Sequence, residues 1–239
     1  MTTVDWPAVR ARLDAFLSGP GQPRTAPPLT EQQVAEAESE FGVTFPPEYR
    51  DYLLQVSAGG WFVFELRRTA EGWRWDGHGT DYDRLHLPFP DHDTALALSD
   101  ELYDGRPQPE DFADPAEYGR AEQASELLIE EAECARTAGL VKLTDDGCGF
   151  STGLVLGGPH RGTVWFDGRA TCDRLNPLLN DADKPAGFAE WFVDWLDHVA
   201  PLAGYDEYRA ANSRWHRGQD TPIARRWFDN WRDACRPAP

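Results

Sequence analysis

The tightest constraint on what this chain can fold into is a single stretch, residues 29–61, which reads LTEQQVAEAESEFGVTFPPEYRDYLLQVSAGGW. Thr30 is placed to cap a helix, and Gln33, three residues on, is placed to return the bond as a capping-box partner. Val34, Ala37 and Phe41 then recur at helical spacing, and Gly42 supplies the left-handed residue that ends such a helix. Phe45-Pro46-Pro47 forces an extended entry to the next element, because a residue before proline avoids the helical region. Pro47 itself suits a first helical turn, where its missing N–H would be unpaired anyway. Tyr49, Tyr52, Leu53 and Val56 make the apolar stripe of a second helix. Ser57-Ala58-Gly59-Gly60 ends that helix and releases the chain into Trp61-Phe62-Val63-Phe64. None of these residue types does chemistry at this spacing, so the block is scaffold.

The remaining elements follow from periodicity and punctuation. Residues 6–17 predict an amphipathic helix with Val9, Leu13, Phe16 and Leu17 inward, capped by Asp5 and stopped by Gly19-Pro20. Residues 61–68 and 73–75 predict strands around a 69–72 hairpin turn, and 85–89 predicts a short edge strand. Residues 91–139 are acidic and mixed, with a long helix from about 115 to 138 whose buried side is expected at Leu127, Leu128, Cys134 and Ala135. Three strands are expected at 140–143, 150–156 and 163–167, separated by glycine-rich turns. A helix at 188–198 gathers Trp191, Phe192, Trp195 and Leu196 on one side. Helices, strands, an inserted helix, strands and a helix in that order predict an α+β fold with a largely antiparallel sheet. The expected organisation is an N-terminal helix with a proline-rich loop (1–28), a main domain (29–200) carrying the acidic insert (91–139), and a Trp/Arg-rich helical tail (201–239). In the tail, Ile223, Trp227, Trp231 and Cys235 recur every four residues, a stripe that docks on its own domain or meets a partner.

Two parts of the chain resemble the SUKH superfamily, the bacterial immunity proteins related to the cell-wall-synthesis regulators of fungi. The first part is Glu38-Ser39-Glu40-Phe41-Gly42, Pro46-Pro47-Glu48-Tyr49, Leu53-Leu54 and Gly59-Gly60-Trp61. The second is the 143–149 turn LTDDGCG, Gly162-Thr163-Val164-Trp165 and the FAEWFVDWL helix from Phe188. They follow in order over residues 29–198, whereas the acidic 91–139 segment and the tail lie beyond the family's compact core. The resemblance implies a binding protein that neutralises a toxin domain encoded beside it, or an intracellular scaffold or regulator.

Charge narrows the partner. The chain has 23 basic and 41 acidic residues, a net charge of −18, which repels phosphate backbones and anionic membranes and favours a basic protein partner. Residues 91–146 hold 16 acidic against 4 basic residues, a balance of −12, while residues 204–239 hold 7 Arg against 5 acids. The candidate partner-binding residues are Asp100, Glu101, Asp104, Glu110, Asp111 and Asp114, whose carboxylates would stand where phosphates sit on a basic nuclease or deaminase domain. A solvated acidic face is the competing explanation. No signal peptide or membrane-spanning run is legible, and four scattered cysteines predict reduced thiols in a cytoplasmic protein. Catalytic constellations are missing as motifs: there is no G-x-S-x-G elbow and no H-E-x-x-H. Asp91-His92-Asp93 with His86 and His78 is the one cluster with metal-ligand chemistry, and adjacent residues converge poorly on one ion. Trp73 and Trp75, two apart on one strand face, keep a carbohydrate-stacking surface in view. The expectation is a non-enzymatic binding protein without a cofactor.

Overall fold

The computed structural model describes residues 4–18, 22–171 and 174–199. The tail and its Trp stripe lie outside the described residues. Among the described residues six α-helices and two antiparallel sheets make an α+β fold, in the order α1 (Trp6–Phe16), α2 (Glu31–Phe41), α3 (Pro47–Gln55), β1 (Leu66–Thr69), β2 (Gly72–Trp75), α4 (His92–Asp104), α5 (Pro115–Ala135), β3 (Leu140–Gly147), β4 (Phe150–Val155), β5 (Val164–Asp167), β6 (Leu175–Pro177) and α6 (Phe188–Val199). The larger sheet runs β3-β4-β5-β6 and the smaller is the β1-β2 hairpin.

The helix pair forms as its sequence dictates. Thr30 N–H donates to Gln33 Oε1 at 2.9 Å, Gln33 N–H donates back to Thr30 Oγ1 at 3.2 Å, and Gly42 closes α2 in the left-handed region at φ 67°. Both bonds are local and reciprocal, so Thr30→Ala is expected to cost about 1 kcal/mol in urea unfolding. Asp5 caps α1 by accepting from Ala8 N–H at 3.1 Å.

Residue alternation gives the four-stranded sheet two different faces. Val141, Leu143, Leu154, Leu156, Val164 and Phe166 point into the main core, where they meet the apolar sides of α1, α2, α3 and α6. That core is aromatic throughout. Trp195 stacks on Phe62 with ring centroids 4.0 Å apart, and Tyr52 meets Phe188 and Phe192 at 5.1 and 4.9 Å. Leu140, Val155, Trp165 and Leu175 face the other way and form a second cluster with Phe89.

Four local expectations are corrected. Residues 61–63 are buried and Phe64 half-buried, but none is strand, because Gly59 and Gly60 sit at φ 114° and 125° and fold the chain back, with Gly60 N–H donating to Val63 O at 2.7 Å. Residues 85–89 are not strand either: the chain turns through Tyr82–Arg84 and delivers Phe89 as a plug against Trp165, 4.9 Å between rings. α5 buries Ile129 and Ala132, whereas Leu127 and Leu128 are 61% and 59% exposed. Trp73 and Trp75 are buried, so they offer no face to a sugar. α4 and β6, neither of which the sequence pattern predicts, complete the insert and the sheet edge.

Candidate partner-binding surface

The acidic insert is an antiparallel pair, α4 and α5, fastened to the outer face of the large sheet by polar groups rather than by apolar stripes. Arg136, at the end of α5, is fully buried and pairs with Glu133 at 3.0 Å. Glu133 also accepts from the Ser99 hydroxyl of α4, which is how the two helices are tied together. From the sheet side, Arg169 donates to the Glu133 carbonyl at 3.1 Å and grips Asp167 with two bonds of 2.9 Å. Lys142 on β3 reaches Asp167 at 3.7 Å. Burial by itself would raise the Asp167 carboxyl, yet the Arg169 bonds and charge, with Lys142, outweigh it and hold the pKa below its ordinary value. Further out, Arg84 bridges Asp81 and Glu131 at 2.7 and 2.6 Å.

The Asp91-His92-Asp93 triplet is the start of a helix. Asp91 caps α4, accepting from the Thr94 hydroxyl at 2.6 Å and from Thr94 N–H at 2.9 Å, and those bonds lower its pKa. His92 Nε2 accepts from Leu175 N–H at 3.2 Å, tying α4 to β6, and burial followed by the Arg136 charge pushes its pKa down. Among the described residues no group of three or more His, Cys, Asp or Glu comes together to hold a metal ion.

All six candidate carboxylates are exposed, spread over α4 and the connection to α5, and Asp100 and Glu101 directly follow Ser99, which bonds to Glu133 of the anchor. Asp100, Glu101 and Asp104 occupy the last turns of α4, Glu110 and Asp111 a single 3-10 turn, and Asp114 the N-cap of α5. Asp114 accepts from Ala116 N–H at 2.9 Å, so its carboxylate serves the helix as well as the surface. The other five make no ion pair among the described residues. Asp104 ends a helix with no basic residue in its last turn, an arrangement that its dipole opposes. The nearby cation, Arg106, lies over the Tyr103 ring at 4.7 Å. Leu98 and Tyr103 on α4 and Leu127 and Leu128 on α5 add exposed apolar area, which the sequence reading assigned in part to the core.

A scan against family models matches residues 28–198 to the SMI1 / KNR4 family (SUKH-1). The match spans well over half of the 239 residues. The chain belongs to the SMI1 / KNR4 (SUKH-1) family. Comparisons with curated proteins and with solved structures return no match. Within this SUKH-1 domain the α2–α3 pair, the β3–β5 meander and α6 carry the segments that resemble the family, and the α4–α5 hairpin stands on the sheet face opposite them. No helix among the described residues is long and apolar enough to cross a membrane.

Proposed function

We propose that this SUKH-1 chain is an immunity protein that neutralises a toxin domain by direct binding, acting without catalysis or cofactor in the cytoplasm. The observation that carries the reading is the set of exposed carboxylates on α4 and the connection to α5, five of which make no ion pair among the described residues. Carboxylates left without cations repel one another and lower stability slightly, a cost a basic partner removes. A nuclease or deaminase domain supplies such a partner, because it must present cations to nucleic acid. The flanking Leu98 and Tyr103 give the interface an apolar centre beside its charged rim.

Co-purification from the native cells, with the partner identified by mass spectrometry, tests the reading. The expected result is a basic toxin domain in equal amount. The variant Asp100→Asn, Glu101→Gln, Asp104→Asn, Glu110→Gln, Asp111→Asn, Asp114→Asn keeps a capping side chain at position 114. It is expected to weaken that complex by at least about tenfold and to flatten its salt dependence. Unchanged affinity would remove the surface assignment. Recovery of a metabolic or cell-envelope assembly in place of a toxin would establish the alternative reading, an intracellular scaffold or regulator.

A further inference from the structure

β6 is an edge strand of the large sheet, and its free side is closed by a side chain. Gly168 N–H donates to Arg174 O at 2.9 Å, a phase that makes Asp167 and Leu175 a pair without mutual hydrogen bonds. The Leu175 N–H therefore points away from β5, although the residue is only 1% exposed. His92, the first residue of α4, satisfies it, its Nε2 accepting from that N–H at 3.2 Å. A backbone amide can only donate, so Nε2 carries no proton and the neutral ring bears its hydrogen on Nδ1. Among the described residues Nδ1 is buried without a partner.

A second proton has no place in this arrangement. The protonated ring donates from both nitrogens, so Nε2–H would face Leu175 N–H and strand a buried amide. The cation would also stand in the first turn of α4, where the helix dipole opposes it. Other charges surround the ring. α5 contributes Arg136, fully buried and paired with Glu133 at 3.0 Å. The β5–β6 connection contributes Arg174 and Arg169, the latter bonded to Asp167. The turn after β4 contributes His160, which with His92 flanks the Trp165 ring at 5.3 and 6.3 Å. On α4, Asp93 and the capping Asp91 pull the other way. Burial first, and then the Arg136 charge, prevail and hold the imidazole below its ordinary 6.5.

We propose that His92 is a proton-operated latch, which when neutral holds the start of α4 on the edge of β6 and when protonated lets it go. Ser99, bonded to Glu133, still fastens the middle of α4, so release is confined to the first turns of that helix and the β6 edge. The latch belongs to the free chain and goes beyond toxin binding, so it stands whatever partner the α4 carboxylates meet. The tie is complete above pH 6.5 and is lost as pH falls through the depressed value. That loss begins well above the 3.8 below which Asp167 titrates.

The test follows the full chain, ¹⁵N-labelled, by NMR from about pH 8 to about pH 4.5, the range of imidazole titration. It reads the His92 ring nitrogens and the amide protection of each residue, taken relative to the unfolded chain at the same pH. A ring midpoint below 6.5 is expected. Over the same range, protection at Leu175 and at 92–96 should fall at least about tenfold while α3 and α6 keep theirs. His92→Gln keeps an acceptor within reach of Leu175 N–H but takes up no proton, so its protection should stay level. His160→Gln should leave the step in place. Arg174→Gln removes an opposing cation with the latch intact, and should move the His92 midpoint upward. A His92 midpoint at or above 6.5, a ring that stays neutral throughout, or Leu175 protection indifferent to the titration would each overturn the proposal. So would the same step in His92→Gln, a midpoint unmoved by Arg174→Gln, or loss of α6 protection at the same pH.

Discussion

Trp195→Ala is expected to lower the unfolding free energy by about 4 kcal/mol, the largest single-residue loss in the domain. Trp195 is 1% exposed, stacks on Phe62 at 4.0 Å and 7°, and contacts Trp61 and Phe192 at 5.3 and 5.6 Å. It joins α6 to the segment released by Gly59-Gly60 and, through Phe16 at 6.4 Å, to α1. Truncation would open a cavity among rings that cannot close in, since three separate elements hold them. Domains of this size are stable by only about 5–15 kcal/mol, so the variant should melt roughly 8–16 °C lower in a thermal scan. Trp195→Phe is expected to cost far less, about 1 kcal/mol. Among the described residues the indole Nε1–H is buried without an acceptor, so losing it offsets part of the lost contact area. Equal losses for the two variants would show that a ring retained at this position recovers none of the contact energy.

The parts of this fold that sequence reveals are those whose causes are local. Thr30 and Gln33 find one another three residues apart, Gly42 ends α2 because of its own backbone freedom, and α6 shows a helical period because one side of it is entirely core. The failures share the opposite property. The one fully buried residue of α4 is polar: Ser99, whose partner Glu133 is 34 positions away. Leu127 and Leu128 look like core by composition, yet α5 is oriented by Arg136 and Glu133, whose ion pairing outweighs apolar patterning there. Residues 61–64 have strand composition but form a fold-back, with 61–63 buried. A Cβ on Gly59 would stand 2.4 Å from Phe64 O, so the glycine sets the path of the chain. The candidate carboxylates were legible because charge density needs no partner to be counted.

Asp167→Ala should loosen the acidic hairpin without dissolving the main core. Asp167 is 4% exposed and answers two cations at once, Arg169 through two bonds of 2.9 Å and Lys142 at 3.7 Å. Removing one side of a buried pair strands the other, a loss of 3–5 kcal/mol in enclosed sites. Arg169 and Lys142 are about one-fifth exposed and water will screen them, so about 3 kcal/mol is expected. The loss should be uneven. Arg169 also holds the Glu133 carbonyl, so its release frees the end of α5, and amide exchange should quicken in α4 and α5 while α3 and α6 keep their protection. The pH dependence has a definite sign. The folded carboxyl titrates below its ordinary 3.8, so its stabilisation is complete above that value and is lost as pH falls through the depressed one. The parent domain should therefore lose stability on acidification below about pH 4 more steeply than Asp167→Ala, and the two curves should converge. If instead exchange quickens equally in α6, the ion cluster is not what separates insert from core.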